Sequence, residues 1–234
     1  MLAGRSFDVL DNCGLAMSFV PATATAHGRV TCGRDTWTSA DGMNDRGLFV
    51  AVADVPTLDK VVSFKPPADL TTFLDGLLAN CATVKDALAW CQQQPAPRLG
   101  GWLNRWSIGN SKHPFLERYT YNTPQHVLIA DSTGDSVVCE WIRGRFKAVR
   151  KTGRYELMTN FLLSAPQLGN YPCPRFATDS KILDESEKPS LETCVALLKA
   201  TASGGTKYSL VCDLPRGEIH IYLRCQFEQP RACT

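Results

Sequence analysis

The sequence predicts an α+β fold in which two antiparallel β-sheets lie face to face and helix pairs cover the outside. Two observations carry this prediction. Apolar runs of strand length follow one another across turns of only a few residues, whereas a parallel pairing would need a crossover of a dozen or more residues. The helical patterns also come in two pairs, one after Pro66-Pro67 and one after Pro174, between groups of strands. Grouped helices and antiparallel strands pack as separate layers.

The first strands are indicated by turn signals and apolar runs. The segment Leu2–Leu10 resembles the end of a strand followed by a turn, and residues 11–40 lack a clean period, which indicates strand and loop. The sequence DGMNDRG at Asp41–Gly47 predicts a turn. The apolar run Leu48–Ala53 directly after it predicts a buried strand.

The clearer helix of the first pair begins after Thr83, a residue type that caps helix N-termini. Its apolar residues recur at helical spacing and form one face: Val84, Ala87, Leu88 and Cys91. Pro95 and Pro97 end this helix. Residues 97–124 contain aromatic side chains without a period, which predicts a loop insertion.

The middle of the chain carries the strongest strand signals. The turn DSTGD at Asp131–Asp135 and the dipeptide Arg143-Gly144 separate apolar runs. Four strands are predicted here: His126–Ala130, Ser136–Ile142, Arg145–Val149 and Tyr155–Asn160.

The second helix pair follows Pro174. Ser190 is a predicted N-cap, and the residues after it again make one apolar face: Leu191, Cys194, Val195 and Leu198. A closing hairpin is predicted from the strands Lys207–Cys212 and Glu218–Arg224, which the turn DLPRG joins.

Length and composition favour a single globular domain over residues 1–234. Hydrophobic residues make up 44% of the chain and charged residues 21%, so the chain can bury enough apolar surface to fold. The net charge is only +2. This balance gives no electrostatic reason to expect nucleic acid or an anionic membrane as a partner.

The ten cysteines are scattered singly, without a C-x-x-C pair, so a zinc site is not expected. No other metal and no organic cofactor are implied. No apolar run has the length that a transmembrane helix needs. Residues Met1–Asp8 contain no apolar leader, which favours a cytoplasmic location without fixing the compartment. The sequence leaves open whether the protein forms a homo-oligomer.

Six segments, in order along nearly the whole chain, resemble motifs of one family. They are GRSFD at Gly4–Asp8, DGMNDRGL at Asp41–Leu48, the hairpin His126–Ile142, LMTN at Leu157–Asn160, the pair Arg175-Phe176, and TKYSLVCD at Thr206–Asp213. The family is that of the N-terminal-nucleophile amide hydrolases, which includes choloylglycine hydrolases, penicillin V acylases and the acyl-CoA:6-aminopenicillanic acid acyltransferases. Each motif alone is weak, but six in the family's order are hard to explain by chance.

The resemblance implies a four-layer αββα fold and hydrolysis, or acyl transfer, at a linear amide C–N bond of a small molecule. In this family the nucleophile is an N-terminal cysteine, and the α-amine of the same residue is the base. A free α-amine has a pKa of about 7.7–8.0, which suits proton transfer near neutral pH.

The resemblance also implies roles for five residues. Arg5 would lie beside the thiolate and favour its ionised form. Asp8 would orient the α-amine, and Asn160 would donate its side-chain amide to the oxyanion. Arg175 would hold Asp8 or the substrate. Asp54 stands where relatives carry a residue that binds the acyl oxygen, but an ionised aspartate cannot donate a hydrogen bond.

In the family the nucleophilic cysteine lies on a strand before the segment that Gly4–Asp8 resembles, and only Met1-Leu2-Ala3 precede that segment here. The sequence as given is therefore expected to be catalytically inactive, with an open sheet edge beside Leu2–Asp8. Three explanations stay open: a start site upstream, a non-catalytic ligand-binding homologue, or chemistry that has moved to a Cys/His pair.

Overall fold

The computed structural model describes residues 1–9, 14–34, 38–56, 68–99, 123–188 and 190–233. Its strands are β1 Leu2–Asp8, β2 Leu15–Val20, β3 Arg29–Arg34, β4 Thr38–Asn44, β5 Phe49–Asp54, β6 Ala68–Asp69, β7 Pro97–Leu99, β8 Thr123–Ala130, β9 Ser136–Ile142, β10 Arg145–Val149, β11 Thr206–Asp213, β12 Glu218–Leu223 and β13 Arg231–Cys233. Its α-helices are α1 Leu70–Asn80, α2 Val84–Gln93, α3 Pro174–Glu185 and α4 Leu191–Ala200.

The strands form two sheets. The smaller sheet has the order β1-β11-β12-β13, and the larger sheet follows the path β10-β9-β8-β5-β4-β3-β2. Neighbouring strands along both paths are antiparallel, while the short strands β6 and β7 form a parallel pair attached to β8. Turns of a few residues join most neighbours, and this is why the antiparallel pairing could be predicted.

The main core lies between the two sheets. Phe7 and Leu210 from the smaller sheet belong to the same buried cluster as Phe49, Val127 and Val137 from the larger one. The helices α1 and α2 pack on the larger sheet, and α4 packs on β1 and β11 with α3 beside it. The predicted αββα layers are therefore confirmed.

Local signals begin the helices where the sequence predicts. The Thr83 side chain accepts a hydrogen bond from the backbone N–H of Asp86, and the Asp86 carboxylate accepts one from the backbone N–H of Thr83, which forms a capping box. The Ser190 hydroxyl caps α4 through the N–H of Thr193. No helix in the described ranges combines the length and the apolar character needed to cross a membrane.

Two of the predicted elements differ in the structure. Asp41 to Asn44 belong to β4, and the turn is confined to Asp45–Gly47, where Gly47 has a φ of 75°. A β-carbon at Gly47 would lie 2.5 Å from the carbonyl oxygen of Leu214, so glycine is needed there for space as well as for conformation. The predicted loop insertion at residues 97–124 contains β7 and the start of β8, and its residues 100–122 lie outside the described part.

The predicted strand at Tyr155–Asn160 is wrong, because this segment pairs with no strand in the described part of the chain. Its backbone instead bonds to side chains: the carbonyl oxygen of Thr159 lies 2.6 Å from Nε2 of His126. A strand needs a neighbour with a free edge. The space beside Tyr155–Asn160 is open, and β1 lies across that space.

Candidate active site

A trench runs along β1, which is an edge strand of the smaller sheet. One cavity of about 860 Å³ and a second of about 680 Å³ lie end to end along it. The strand β1 forms one wall and the segment Tyr155–Asn160 the other. Leu128 lines both cavities from the larger sheet, and Leu198 lines both from α4. The open edge of β1 borders this trench, as the sequence predicts for the edge beside Leu2–Asp8.

Three of the predicted site residues meet at one end of the trench. Asp8 is the last residue of β1, Arg175 lies in the first turn of α3, and Asn160 ends the segment Tyr155–Asn160. The guanidinium of Arg175 donates from Nη1 to Asp8 Oδ2 at 3.2 Å and from Nη2 to Asn160 Oδ1 at 2.5 Å. Arg175 thus bridges two residues that lie far apart in the sequence.

These contacts fix the orientation of the Asn160 carboxamide. Its oxygen accepts from Arg175, so its nitrogen faces the other way and donates to the backbone carbonyl of Asp54 at 3.1 Å. A carboxamide nitrogen has two hydrogens. The second has no acceptor among the described residues, and Asn160 lines the trench, so this hydrogen could serve an acceptor there, as an oxyanion donor requires.

Asp54 belongs to this end of the trench through its backbone. Its carbonyl oxygen accepts from Asn160, and its carboxylate accepts from Nε2 of Gln125. The side chain therefore acts as an acceptor toward the neighbouring strand.

Arg5 lines the same cavity but does not contact Asp8 or Asn160. Its guanidinium lies against the larger sheet, where Nη1 donates to the carboxylate of Asp41 at 2.9 Å and to the carbonyl of Ala40 at 3.0 Å. Asp41 is fully buried and also accepts from the Tyr208 hydroxyl at 2.6 Å. Burial raises the pKa of Asp41, while Arg5 and Tyr208 act in the opposite direction.

Thr206 was not among the predicted site residues, although it lies in the closing motif at Thr206–Asp213. Its hydroxyl donates to Asp8 Oδ1 at 2.6 Å. The Asp8 carboxylate is therefore held at both oxygens, by Thr206 and by Arg175. Only the pairing of β1 with β11, which places Thr206 opposite Asp8, shows this role.

Asp179 is a second residue that the sequence did not single out. It lies one turn after Arg175 on α3, lines the trench, and is 5% exposed, with no hydrogen-bond partner for Oδ1 among the described residues. Burial raises the pKa of Asp179 to about 6, against the opposing effects of Thr201 and Arg175. A raised pKa means that the folded state binds this proton more tightly than the unfolded state does. The bound proton therefore stabilises the fold at low pH, and this contribution to the free energy of unfolding is lost as the pH rises.

Asp179→Asn should therefore change how stability depends on pH. We expect the free energy of unfolding of the wild type to fall, relative to the variant, by about 2 kcal/mol as the pH rises from about 4 to about 7. Urea unfolding of both proteins across this range measures the difference. Glu185→Gln, which removes an exposed carboxylate from the same helix, is the matched control. Parallel profiles for the wild type and Asp179→Asn would contradict the prediction.

No described cysteine contacts Asp8 or Asn160. Cys194 lines the trench near Met1, at the end away from Asp8, and burial raises its pKa to about 11. The Cys173 thiol accepts from the Thr159 hydroxyl at 3.5 Å but does not line the trench. Burial acts to raise the pKa of Cys173, but hydrogen bonds from Thr159 and the first turn of α3 lower it overall.

The alternative of a Cys/His pair has no support in the described part of the chain, because no histidine there contacts a cysteine. His126 lies against Glu140 and Thr159, and the other two described histidines, His27 and His220, each lie beside a carboxylate. Within the same residues, no cluster of three or more His, Cys, Asp or Glu side chains has the arrangement of a metal site.

Comparison with known proteins gives structural matches only. No family model and no curated protein matches the chain in sequence. Penicillin V acylase from Agrobacterium tumefaciens matches with 18% identity and a TM-score of 0.62, over 99% of this chain and 80% of the other. A mutant of conjugated bile acid hydrolase from Clostridium perfringens matches with 18% identity and a TM-score of 0.65, over 99% and 88%.

A third match is the Caenorhabditis elegans ortholog of N-acylethanolamine-hydrolyzing acid amidase. It has 14% identity and a TM-score of 0.62, over 92% of this chain and 88% of the other. The three matches show that the chain has the fold of these amide hydrolases. The resemblance predicted from the six sequence motifs is thereby confirmed at the level of the fold.

Proposed function

We propose that this chain forms a hydrolase or acyltransferase for a linear amide C–N bond, working through an N-terminal cysteine on a strand that occupies the trench. The observation that carries the proposal is the meeting of Asp8, Asn160 and Arg175 at one end of an open, extended groove. The shared fold supports the reaction class. The titles of the structural neighbours name a penicillin acylase, a bile acid hydrolase and an amidase.

The topology of β1 supports the position of the nucleophile. A strand that turns back into β1 at its Met1 end would run antiparallel to it, so the first residue of that strand would lie near Asp8. β1 has seven residues, and a partner of the same length would span about 23 Å. Its α-amine would then be within reach of the Asp8 carboxylate, which accepts from Thr206 and Arg175 and still has free lone pairs.

The reaction follows from these positions. The α-amine takes the proton of the cysteine thiol, and the thiolate attacks the amide carbonyl carbon. The free N–H of Asn160 stabilises the oxyanion that forms, with a contribution of about 2.7–4 kcal/mol in comparable sites. The C–N bond then breaks, and the α-ammonium returns its proton to the leaving amine. Water, or an acceptor amine in the transferase case, cleaves the resulting thioester and restores the thiol.

Arg5 and Asp54 take weaker roles in this proposal than the sequence resemblance implies. The Arg5 charge is neutralised in large part by the buried Asp41, so its effect on a thiolate in the trench would be indirect. Asp54 holds Asn160 through its carbonyl oxygen rather than binding the acyl group through its side chain.

The alternative function is that of a ligand-binding homologue without catalysis. The observation that favours it is the lack of a described thiol beside Asp8 and Asn160. In that case the trench binds an amide or acyl ligand, and Asn160 donates to a carbonyl oxygen that does not react.

The N-terminal sequence and intact mass of the protein from its natural source separate the two. We expect a mature chain that begins with cysteine ahead of Met1. It should also hydrolyse at least one of three amides (penicillin V, a glycine-conjugated bile acid or an N-acylethanolamine) and lose this activity after alkylation with iodoacetamide. A mature chain that begins at Met1 or Leu2 and cleaves none of the three would overturn the proposal in favour of the ligand-binding alternative.

A further inference from the structure

Two buried side chains with no role in the proposed chemistry hold the backbone on both sides of Asn160. His126 on β8 and Glu140 on β9 are both fully buried. Nε2 of His126 lies 2.6 Å from the carbonyl oxygen of Thr159, the residue before Asn160. The Glu140 carboxylate accepts the backbone N–H of Leu163 at 2.6 Å and that of Ser164 at 3.1 Å, three and four residues after Asn160.

The contact with Thr159 determines which ring nitrogen of His126 carries a proton. A carbonyl oxygen can only accept, so Nε2 is protonated and donates. Nδ1 has no hydrogen-bond partner within the described residues and lies 3.5 Å from Glu140 Oε1. The two side chains are therefore neighbours on adjacent strands, and together they face the connection that leads to α3.

The Glu140 contacts are charge-assisted. Burial acts to raise the pKa of Glu140, but the neighbouring His126 ring and the hydrogen bonds that the carboxylate accepts from Ser164 and Leu163 lower it overall. The group is thus a carboxylate at neutral pH, and hydrogen bonds to an ionised acceptor are stronger than those between neutral groups.

The segment before Asn160 needs such support because no strand ladder fixes it. Residues Tyr155–Asn160 pair with no described strand, and one side of them borders the trench. Without the two buried side chains, the backbone on both sides of Asn160 would lose these buried hydrogen bonds, and packing of the neighbouring Phe161 and Leu162 would remain.

We propose that His126 and Glu140 are positioning residues for Asn160. They hold its backbone before and after the residue, so that its carboxamide stays between Arg175 and the carbonyl of Asp54 with one N–H directed to the trench. The catalytic meaning of this position rests on the proposed function, but the positioning itself does not. It can therefore be tested without activity.

The test compares His126→Leu with His126→Gln in protein labelled with nitrogen-15 at asparagine. Glutamine can keep the donor to the Thr159 carbonyl, whereas leucine cannot. In His126→Leu we expect the Asn160 side-chain amide signals to move toward those of a solvated asparagine and to exchange with water about tenfold faster, as loss of one hydrogen bond predicts. In His126→Gln the signals should stay near their wild-type positions. Asn160→Asp assigns them.

Asp131→Asn is the matched structural control. Asp131 is a buried carboxylate at the other end of β8 that accepts the backbone N–H of Val84 and of Thr133, far from Asn160. It should lower stability without moving the Asn160 signals. If His126→Leu does not fold, Glu140→Gln makes the same test. A glutamine has one acceptor oxygen, so it can keep only one of the two hydrogen bonds that the Glu140 carboxylate accepts.

Unchanged Asn160 signals in a folded His126→Leu protein would overturn the proposal, as would an equal shift in Asp131→Asn. Should the protein prove active, the same variants add a second readout. Mispositioning of an oxyanion donor lowers kcat by about tenfold or more and leaves KM nearly unchanged. A shift of the amide signals in a protein that cleaves no amide would support the positioning and count against the proposed function alone.

Discussion

Replacing Asn160 with alanine is expected to lower kcat for amide cleavage by about 10²–10³-fold in the form of the protein that carries the N-terminal cysteine. The Asn160 carboxamide lines the trench and is oriented by Arg175 and by the carbonyl of Asp54, so the proposed donor is its remaining N–H. Alanine removes this donor from the transition state, where charge develops on the carbonyl oxygen. Because the interaction forms mainly in the transition state, KM should change little.

Steady-state kinetics on a chromogenic linear amide measure this effect. Asn80→Ala is the matched control, since Asn80 is an exposed asparagine of α1 that bonds only to the backbone of its own helix. Circular dichroism should show that both variants are folded. A fall in kcat of less than about threefold, or a change in KM alone, would contradict the role of Asn160 as an oxyanion donor.

Arg5→Met is expected to destabilise the fold by about 3–5 kcal/mol. The reason is the fully buried carboxylate of Asp41, which would lose the guanidinium that lies 2.9 Å from it and keep only neutral partners. Methionine retains much of the apolar length of arginine, so the loss reports mainly on charge. Urea unfolding at neutral pH gives the change in the free energy of unfolding.

A double-mutant cycle with Asp41→Asn separates this pair from other effects of the Arg5 substitution. In the Asp41→Asn background, where residue 41 is neutral, Arg5→Met should lower the free energy of unfolding much less than it does in the wild type. Arg46→Met is the control on the same part of the fold, because Arg46 is largely exposed and pairs with the exposed Asp45. This substitution should lower the free energy of unfolding by less than about 1 kcal/mol. A cost of similar size for Arg5→Met and Arg46→Met would show that the buried pair contributes little.

The Arg5 result also affects how the active site is interpreted. By family resemblance Arg5 is a neighbour of the thiolate, yet its contacts in the structure are with the larger sheet. A large loss of stability together with a modest loss of kcat in the folded variant would assign it to the sheet interface. The reverse pattern would return it to the active site.

Much of the local structure was predictable because its causes are local. The capping box at Thr83, the serine cap of α4 and the short turns between β8, β9 and β10 are each encoded within a few residues. The segment Tyr155–Asn160 shows the limit of this approach. Its sequence favours a strand, but strand formation needs a partner edge, and no described strand pairs with it.

The sequence by itself determined the layers of this protein, the antiparallel pairing of most strands, and the candidate residues Asp8, Asn160 and Arg175. Only the tertiary structure decided how these residues meet: Arg175 bridges the other two, Thr206 holds Asp8, and Arg5 faces Asp41 instead. The physical reason is range. Propensity, periodicity and capping act over a few residues along the chain, whereas these side-chain contacts join distant residues that only sheet register and layer packing bring together.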